Sequence, residues 1–137
     1  ITWSEQAAPG SPLLHQVGRT ELLMQAARAS GAKSGVFGPQ DLLIEQLLVG
    51  NPSVTAALQA RVLDALAGRD HDGLITSTLR SYLETGSVSA TATSEVVHAN
   101  TVLYRLNRVK ALTGLDPRKP ADATVLTLAL RSNGGRP

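Results

Sequence analysis

The stretch "HANTVLYRLNRVK" concentrates residues that can hydrogen-bond to a polyanion: His98, Asn100, Thr101, Tyr104, Asn107, Arg108 and Lys110. On a helix, side chains three and four positions apart share a face. Asn100, Tyr104, Asn107, Arg108 and Ala111 then point one way. Val102, Leu106, Val109 and Thr113 gather on the other side within about 60° of arc, as an inward stripe. The outward face has polar tips, mostly slim side chains, a cation and no acid. A DNA major groove accepts such a face. An ordinary bundle helix with its far side in water looks the same, so its neighbours have to decide. Arg105 lies on the shoulder of the apolar stripe, where it can pair with a carboxylate inside the protein instead of touching DNA.

Other chemistries fit poorly. "RDHDGLI" resembles a calcium loop at first sight, but with Gly73 as the loop glycine the bidentate Glu position falls on Leu79 and the first ligand on Gly68. His71-Asp72 has no partner at ligand spacing, since His15 and His98 lie far off in sequence. The acids there read as a helix start, where carboxylates complement the dipole. There is no Gly-rich phosphate loop, nucleophile elbow or informative carboxylate pair, so no enzyme, cofactor or metal is expected. The absence of cysteine removes disulfides and thiolate sites and fits a reducing cytoplasm. No apolar run approaches the roughly 20 residues of a membrane span.

The charge balance adds a direction. The 137 residues carry a formal net charge of only +2, so any nucleic-acid role depends on where the charges sit. Arg105, Arg108, Lys110, Arg118, Lys119, Arg131 and Arg136 are late, and most acids precede Glu95. Hydrophobic residues make up 42% and aromatics 3%, so Leu, Val and Ala must fill the core. The start at Ile rather than Met suggests a fragment of a longer protein or a trimmed start.

The elements that position this face read as all-α. Residues 1–18, with Pro9, Gly10 and Pro12, read as a linker or flexible segment. Helical spacing begins near Arg19 with Leu22, Leu23, Ala26 and Ala27, and a second helix opens at Pro39. Leu42 to Val49 are apolar on nearly every side, predicting a buried or partnered helix. Asn51 and Pro52 suit the start of the next, with Asn51 as N-cap. Val54, Leu58, Val62 and Leu66 repeat along it, and Gly68 ends it. A helix over 72–85 follows, with Ile75, Leu79, Tyr82 and Leu83 inward. A short helix within 89–97 packs through Ala90, Ala92, Val96 and Val97. His98-Ala99 forms the turn, and the long helix covers about 100–113. After "LDPRKP", Pro120 and Asp122 open the last helix. The division expected is a helical segment for dimerisation or inter-domain packing over 19–69, a helix-turn-helix domain over 70–132, and a disordered tail over 133–137. Two helices joined by a tight turn, the second polar at its start, form a helix-turn-helix.

"LRSYLETGSVSATATSEVVHANTVLYRLNRVKALTG" resembles the C-terminal helix-turn-helix domain of PucR/CdaR-type bacterial transcription regulators. The resemblance rests on Thr78-Leu79, Tyr82-Leu83, Ala92, His98, Asn100, Thr101, Val102, Tyr104, Arg105, Leu106, Thr113-Gly114, Asp116-Pro117 and Ala129-Leu130, and covers about 74–131. It implies a helical bundle with a helix-turn-helix, double-stranded DNA as partner, a homodimer on repeated half-sites, and an effector acting through a sensory region further upstream. Three residues depart from the family pattern. Glu95 stands where a leucine usually packs the two helices, so it must be exposed, paired or accommodated by a register shift. Ala99 and Leu103 replace frequent basic residues and remove phosphate contacts. The expected function is sequence-specific DNA binding. Asn100, Thr101, Tyr104 and Asn107 are offered to bases, and Arg108 and Lys110 to the backbone. The alternative is a helical protein-interaction module that kept the fold and lost DNA, using an apolar patch at Leu103.

Overall fold

A computed structural model describes residues 21–28 and 42–133. The segments read as a linker over 1–18, the helix start at Pro39 and the tail beyond 133 lie outside the described residues. All regular structure among the described residues is helical. In chain order these are α1 (21–28), α2 (Leu43–Gly50), α3 (Pro52–Leu58), α4 (Ala65–Ala67), α5 (Leu74–Thr85), α6 (Val88–Ser94), α7 (Ala99–Thr113) and α8 (Pro120–Ser132), with a π-helical turn, Gln59–Asp64, between α3 and α4. The chain divides into two compact units, Ile1–Ala56 with Arg131–Pro137, and Ala57–Leu130.

In the first unit, Leu42 and Leu48 are buried with Leu23 and Ala26. α2 is not buried on every side: Leu43 and Leu47, one turn apart, are 63% and 57% exposed, while Glu45 is buried. The buried carboxylate accepts a 3.3 Å hydrogen bond from Arg131 Nη1. Asn51 does not cap the following helix with its side chain. Its Nδ2 donates back to the Leu47 carbonyl at 2.7 Å, closing α2. Thr55 Oγ1 donates to the Leu48 carbonyl at 2.6 Å.

The second unit holds the main core: Val62, Leu66, Leu79, Ala92, Val102, Leu106, Val109, Leu115, Leu126, Ala129 and Leu130. The apolar spacing of four before Leu66 overruns an α-helical turn of about 3.6 residues, and the wider π turn takes up that overrun. Val62 and Leu66 both reach the core this way. At the start of α5, Asp70 reaches ahead. Its carboxylate accepts from the amides of Ile75 (2.9 Å) and Thr76 (2.8 Å) and from the Thr76 hydroxyl (2.6 Å). Asp72 accepts from the Leu74 amide at 3.3 Å. These bonds satisfy amides that the helix itself cannot, so the acidic run is a helix cap. Burial alone would raise the Asp70 pKa. The hydrogen bonds from Thr76 and Ile75 outweigh it and hold the carboxyl below its ordinary value.

α5, α6 and α7 pack mutually as a three-helix unit. The seam between α5 and α6 is largely hydroxylic. Ser81 Oγ meets Ser94 Oγ at 2.8 Å and Thr85 Oγ1 meets Thr91 Oγ1 at 3.0 Å. Thr91 is fully buried and also donates to the Ser87 carbonyl at 2.8 Å. Ser87 caps α6 by accepting from the Ala90 amide at 3.3 Å. Ala92 is buried as expected, but Ala90 and Val96 are exposed, because α6 stops at Ser94 and leaves Val96 in the turn.

Candidate nucleic-acid interface

α7 begins one residue earlier than expected, at Ala99, and the turn before it occupies residues 95–98. Val102, Leu106 and Val109 are fully buried and Thr113 is buried, which fixes the helix's rotation about its axis. Asn100, Tyr104, Asn107 and Ala111 are thereby left exposed, with Arg108 half-buried beside them. Gly114 ends the helix at φ 74°, with its amide donating to the Lys110 carbonyl at 2.9 Å. A left-handed residue here is ordinary for glycine.

The turn ahead of α7 also uses a left-handed residue, without the glycine. The Val97 amide donates to the Ala92 carbonyl (3.0 Å) and the Val96 amide to Thr93 (3.3 Å), closing α6 with a Schellman motif. Val96 occupies its left-handed position at φ 55° and is 90% exposed. A β-branched residue is strained there. The core contact is made instead by Val97, packed against the cluster.

Glu95 is the first residue of that turn, and it is paired. Its carboxylate accepts from Ser77 Oγ at 2.8 Å and Thr78 Oγ1 at 3.5 Å, and lies 3.9 Å from Arg105 Nη1. Arg105 Nη1 also donates to Thr78 Oγ1 at 2.9 Å. A polar network thus replaces apolar packing where α5, the turn and α7 meet. It turns Arg105 inward, so this cation is used inside the fold.

The predicted site residues fall into two groups. His98 is the N-cap of α7, with its carbonyl accepting from the amides of Thr101 (2.9 Å) and Val102 (3.3 Å) and no capping bond from its side chain. His98, Asn100 and Tyr104 are exposed, and Thr101 and Arg108 are half-buried. The side chains of these five residues make no hydrogen bond or ion pair among the described residues. Asn107 and Lys110 belong to the second group, gathered by the loop after α7. Lys110 Nζ lies 3.1 Å from Asp116 Oδ2. Arg118 Nε donates to Asp116 Oδ1 at 2.9 Å and its Nη2 to Oδ2 at 3.3 Å. The same Nη2 donates to Asn107 Oδ1 at 2.9 Å. The hydrogen bond from Arg118 holds the Asp116 carboxyl well below the usual carboxylate range, against the opposing effect of burial. Asp116 in turn raises the Arg118 pKa. The sequence reading missed Asp116 and Arg118 as parts of this surface. Their signal is an Asp two positions before an Arg, just past a helix-ending glycine. That spacing suits a side chain accepting from a backbone amide two residues on, and the Arg118 amide donates to Asp116 Oδ1 at 3.1 Å.

Comparison with known proteins places this arrangement. The family model described as the PucR C-terminal helix-turn-helix domain matches residues 75–132. Residues 75–132 are a PucR C-terminal helix-turn-helix domain. The expected resemblance over about 74–131 is therefore borne out. The PucR domain comprises α6, α7 and α8 and all but the first residue of α5. An uncharacterised protein of Mycobacterium tuberculosis is 42% identical over 91 residues, covering 66% of this chain and 22% of that protein. The carbohydrate diacid regulator of Escherichia coli is 38% identical over 95 residues, covering 67% of this chain and 24% of that protein. A crystal structure of a regulator of polyketide synthase expression from Bifidobacterium adolescentis is similar at TM-score 0.57 and 36% identity, over 89% of this chain and 48% of that one. The chain thus spans under a quarter of the length of these curated relatives. No helix among the described residues is long and apolar enough to cross a membrane.

Proposed function

We propose that this chain is the DNA-binding part of a bacterial transcription regulator and that α7 is its recognition helix, lying in the major groove. Asn100, Thr101 and Tyr104 are offered to base edges. Arg108 is offered to the phosphate backbone, with His98 at the mouth of the groove beside the first turn of α7. The observation that carries this reading is the strip of Asn100, Tyr104 and Arg108, whose side chains have no partner among the described residues, on a helix whose opposite side is locked into the core. A protein that folds this tightly around Val102, Leu106 and Val109 while leaving the polar strip unused has that strip available for a ligand with many acceptors. The PucR match and the regulator relatives support the same conclusion.

The role is binding rather than catalysis, in the cytoplasm. One helix reads only a few base pairs, so the working form is a homodimer on repeated half-sites. An effector acts through parts of the protein outside this chain. The protein-module alternative needs an apolar patch at Leu103, but Leu103 is half-buried. Fluorescence anisotropy against a random-sequence duplex pool, from low to moderate salt, tests the proposal. Binding should weaken steeply with salt, each phosphate contact adding about 0.9 to the log–log slope. Absence of binding at low salt would overturn the reading for this chain.

A further inference from the structure

Asn107 sits on the outward face of α7, yet one end of its carboxamide is already committed. A guanidinium has donors and no acceptor, so the end that meets Arg118 Nη2 at 2.9 Å is the oxygen. Arg118 is itself held. Asp116 grips it through both carboxylate oxygens, and the Asp116 side chain, only 10% exposed, is also engaged by Lys110. The frame behind Asp116 is tied into the fold. The Asp116 amide donates to Asp122 Oδ2 at 2.9 Å, at the start of α8. The neighbouring Leu115 amide donates to the buried Thr113 hydroxyl at 3.1 Å.

A free asparagine presents oxygen and NH2 together and makes a two-point contact with adenine. We propose that Arg118 is a positioning residue that draws the Asn107 oxygen inward and leaves the NH2 facing DNA, so that Asn107 acts as a donor and takes an acceptor. The acceptor is a purine N7, guanine O6, thymine O4, or a phosphate oxygen. This inference rests on the DNA reading above and adds to it the chemical sense of one contact. Arg118 and Asp116 touch no DNA in this account. They choose which half of an amide does.

Arg118→Lys separates the roles. It keeps the charge, so phosphate neutralisation is unchanged, but an ammonium lacks the planar fork that spans Asp116 and Asn107 together. The wild-type chain, Arg118→Lys and Asn107→Ala, each checked for an intact thermal transition, are taken through selection from a randomised duplex pool and anisotropy at several salt concentrations. Asn107→Ala should lower affinity roughly tenfold. If the acceptor is a base, that loss is confined to sequences carrying guanine, thymine or adenine rather than cytosine at one position, and Arg118→Lys shifts that position toward adenine, which a freed amide meets at two points, at an unchanged salt slope. If the acceptor is phosphate, Asn107→Ala weakens every sequence evenly and Arg118→Lys does so to a smaller degree. Either pattern upholds the proposal. Wild-type preference and affinity retained in Arg118→Lys, or no effect of Asn107→Ala, overturns it while leaving the DNA reading intact. No binding by the wild-type chain overturns both.

Discussion

The two edges of the outward face of α7 carry similar residue types in opposite circumstances. Along one edge, Asn100, Thr101, Tyr104 and Arg108 have no side-chain partners among the described residues. Along the other, Asn107 and Lys110 are held by Arg118 and Asp116. Arg108 and Lys110 are equal in charge and only two positions apart, yet Lys110 lies beside a carboxylate. Counting basic residues on this helix therefore overstates the contacts available to a polyanion. On the proposed DNA reading, the free edge would supply affinity and the tied edge orientation.

Removing the free edge should have the largest effect. Tyr104→Ala combined with Arg108→Ala is expected to lower DNA affinity roughly 100-fold, from two contacts at about 1–3 kcal/mol each, and to make the salt slope shallower by about 0.9. Anisotropy titrations would show it. If the slope is unchanged, Arg108 is not a phosphate contact and the comparison breaks.

Releasing the tied edge comes next. Asp116→Asn should lower stability by about 1–3 kcal/mol, through lost charge-assisted hydrogen bonds. It should also steepen the salt slope by up to about 1.8 as Lys110 and Arg118 become available. The acid response has a defined sign. Asp116 and Asp70 have depressed folded pKa values, so their stabilisation is fully present above the unfolded carboxylate pKa of about 3.9 and is lost as pH falls through and below it. Melting temperature should hold from neutral pH to about pH 5 and drop below about pH 4. The drop should be smaller in Asp116→Asn.

Val96→Gly probes the turn that joins both edges to α6. Relieving a left-handed valine gains about 1–2 kcal/mol, and the extra freedom of an unfolded glycine takes back part of it. The expected net gain is roughly 0.5–1 kcal/mol in denaturant unfolding, with the salt slope unchanged. The smallest effect belongs to Lys110→Ala, which should weaken DNA binding less than about threefold because an exposed cation already beside a carboxylate adds little. A tenfold loss would mean that Lys110 leaves Asp116 for phosphate on binding.

The inward stripe of α7 was legible because burial of Val102, Leu106 and Val109 follows from helical spacing alone. Glu95 was legible as a residue to be exposed, paired or accommodated by a register shift, and Arg105, on the shoulder of the stripe, as a cation placed to pair with an internal carboxylate; that the two meet was not legible. Three further features were not legible. The end of α6 at Ser94 depends on carbonyls closing around Val96, and valine signals the opposite of a left-handed turn. The capture of Asn107 and Lys110 depends on a loop that folds back from beyond Gly114, so no periodicity within α7 reports it. The exposure of Leu43 and Leu47 depends on tertiary context that an all-round apolar helix conceals.

The hydroxylic seam between α5 and α6 has a consequence in time rather than in energy. Hydroxyl pairs such as Ser81–Ser94 are readily exchanged for water, and α6 adds only Thr91 and Ala92 as buried residues. With threonines weakening its intrinsic helicity, α6 should open more often than α7 without global unfolding. Its amide protons should exchange with solvent well before those of Val102, Leu106 and Val109 in α7. The helix-turn-helix then works as a slow clock hand and a fast one on a common hinge. α7 keeps its shape through many openings of the helix that braces it, and on the proposed DNA reading a bound duplex would be felt first as a slowing of exchange in α6.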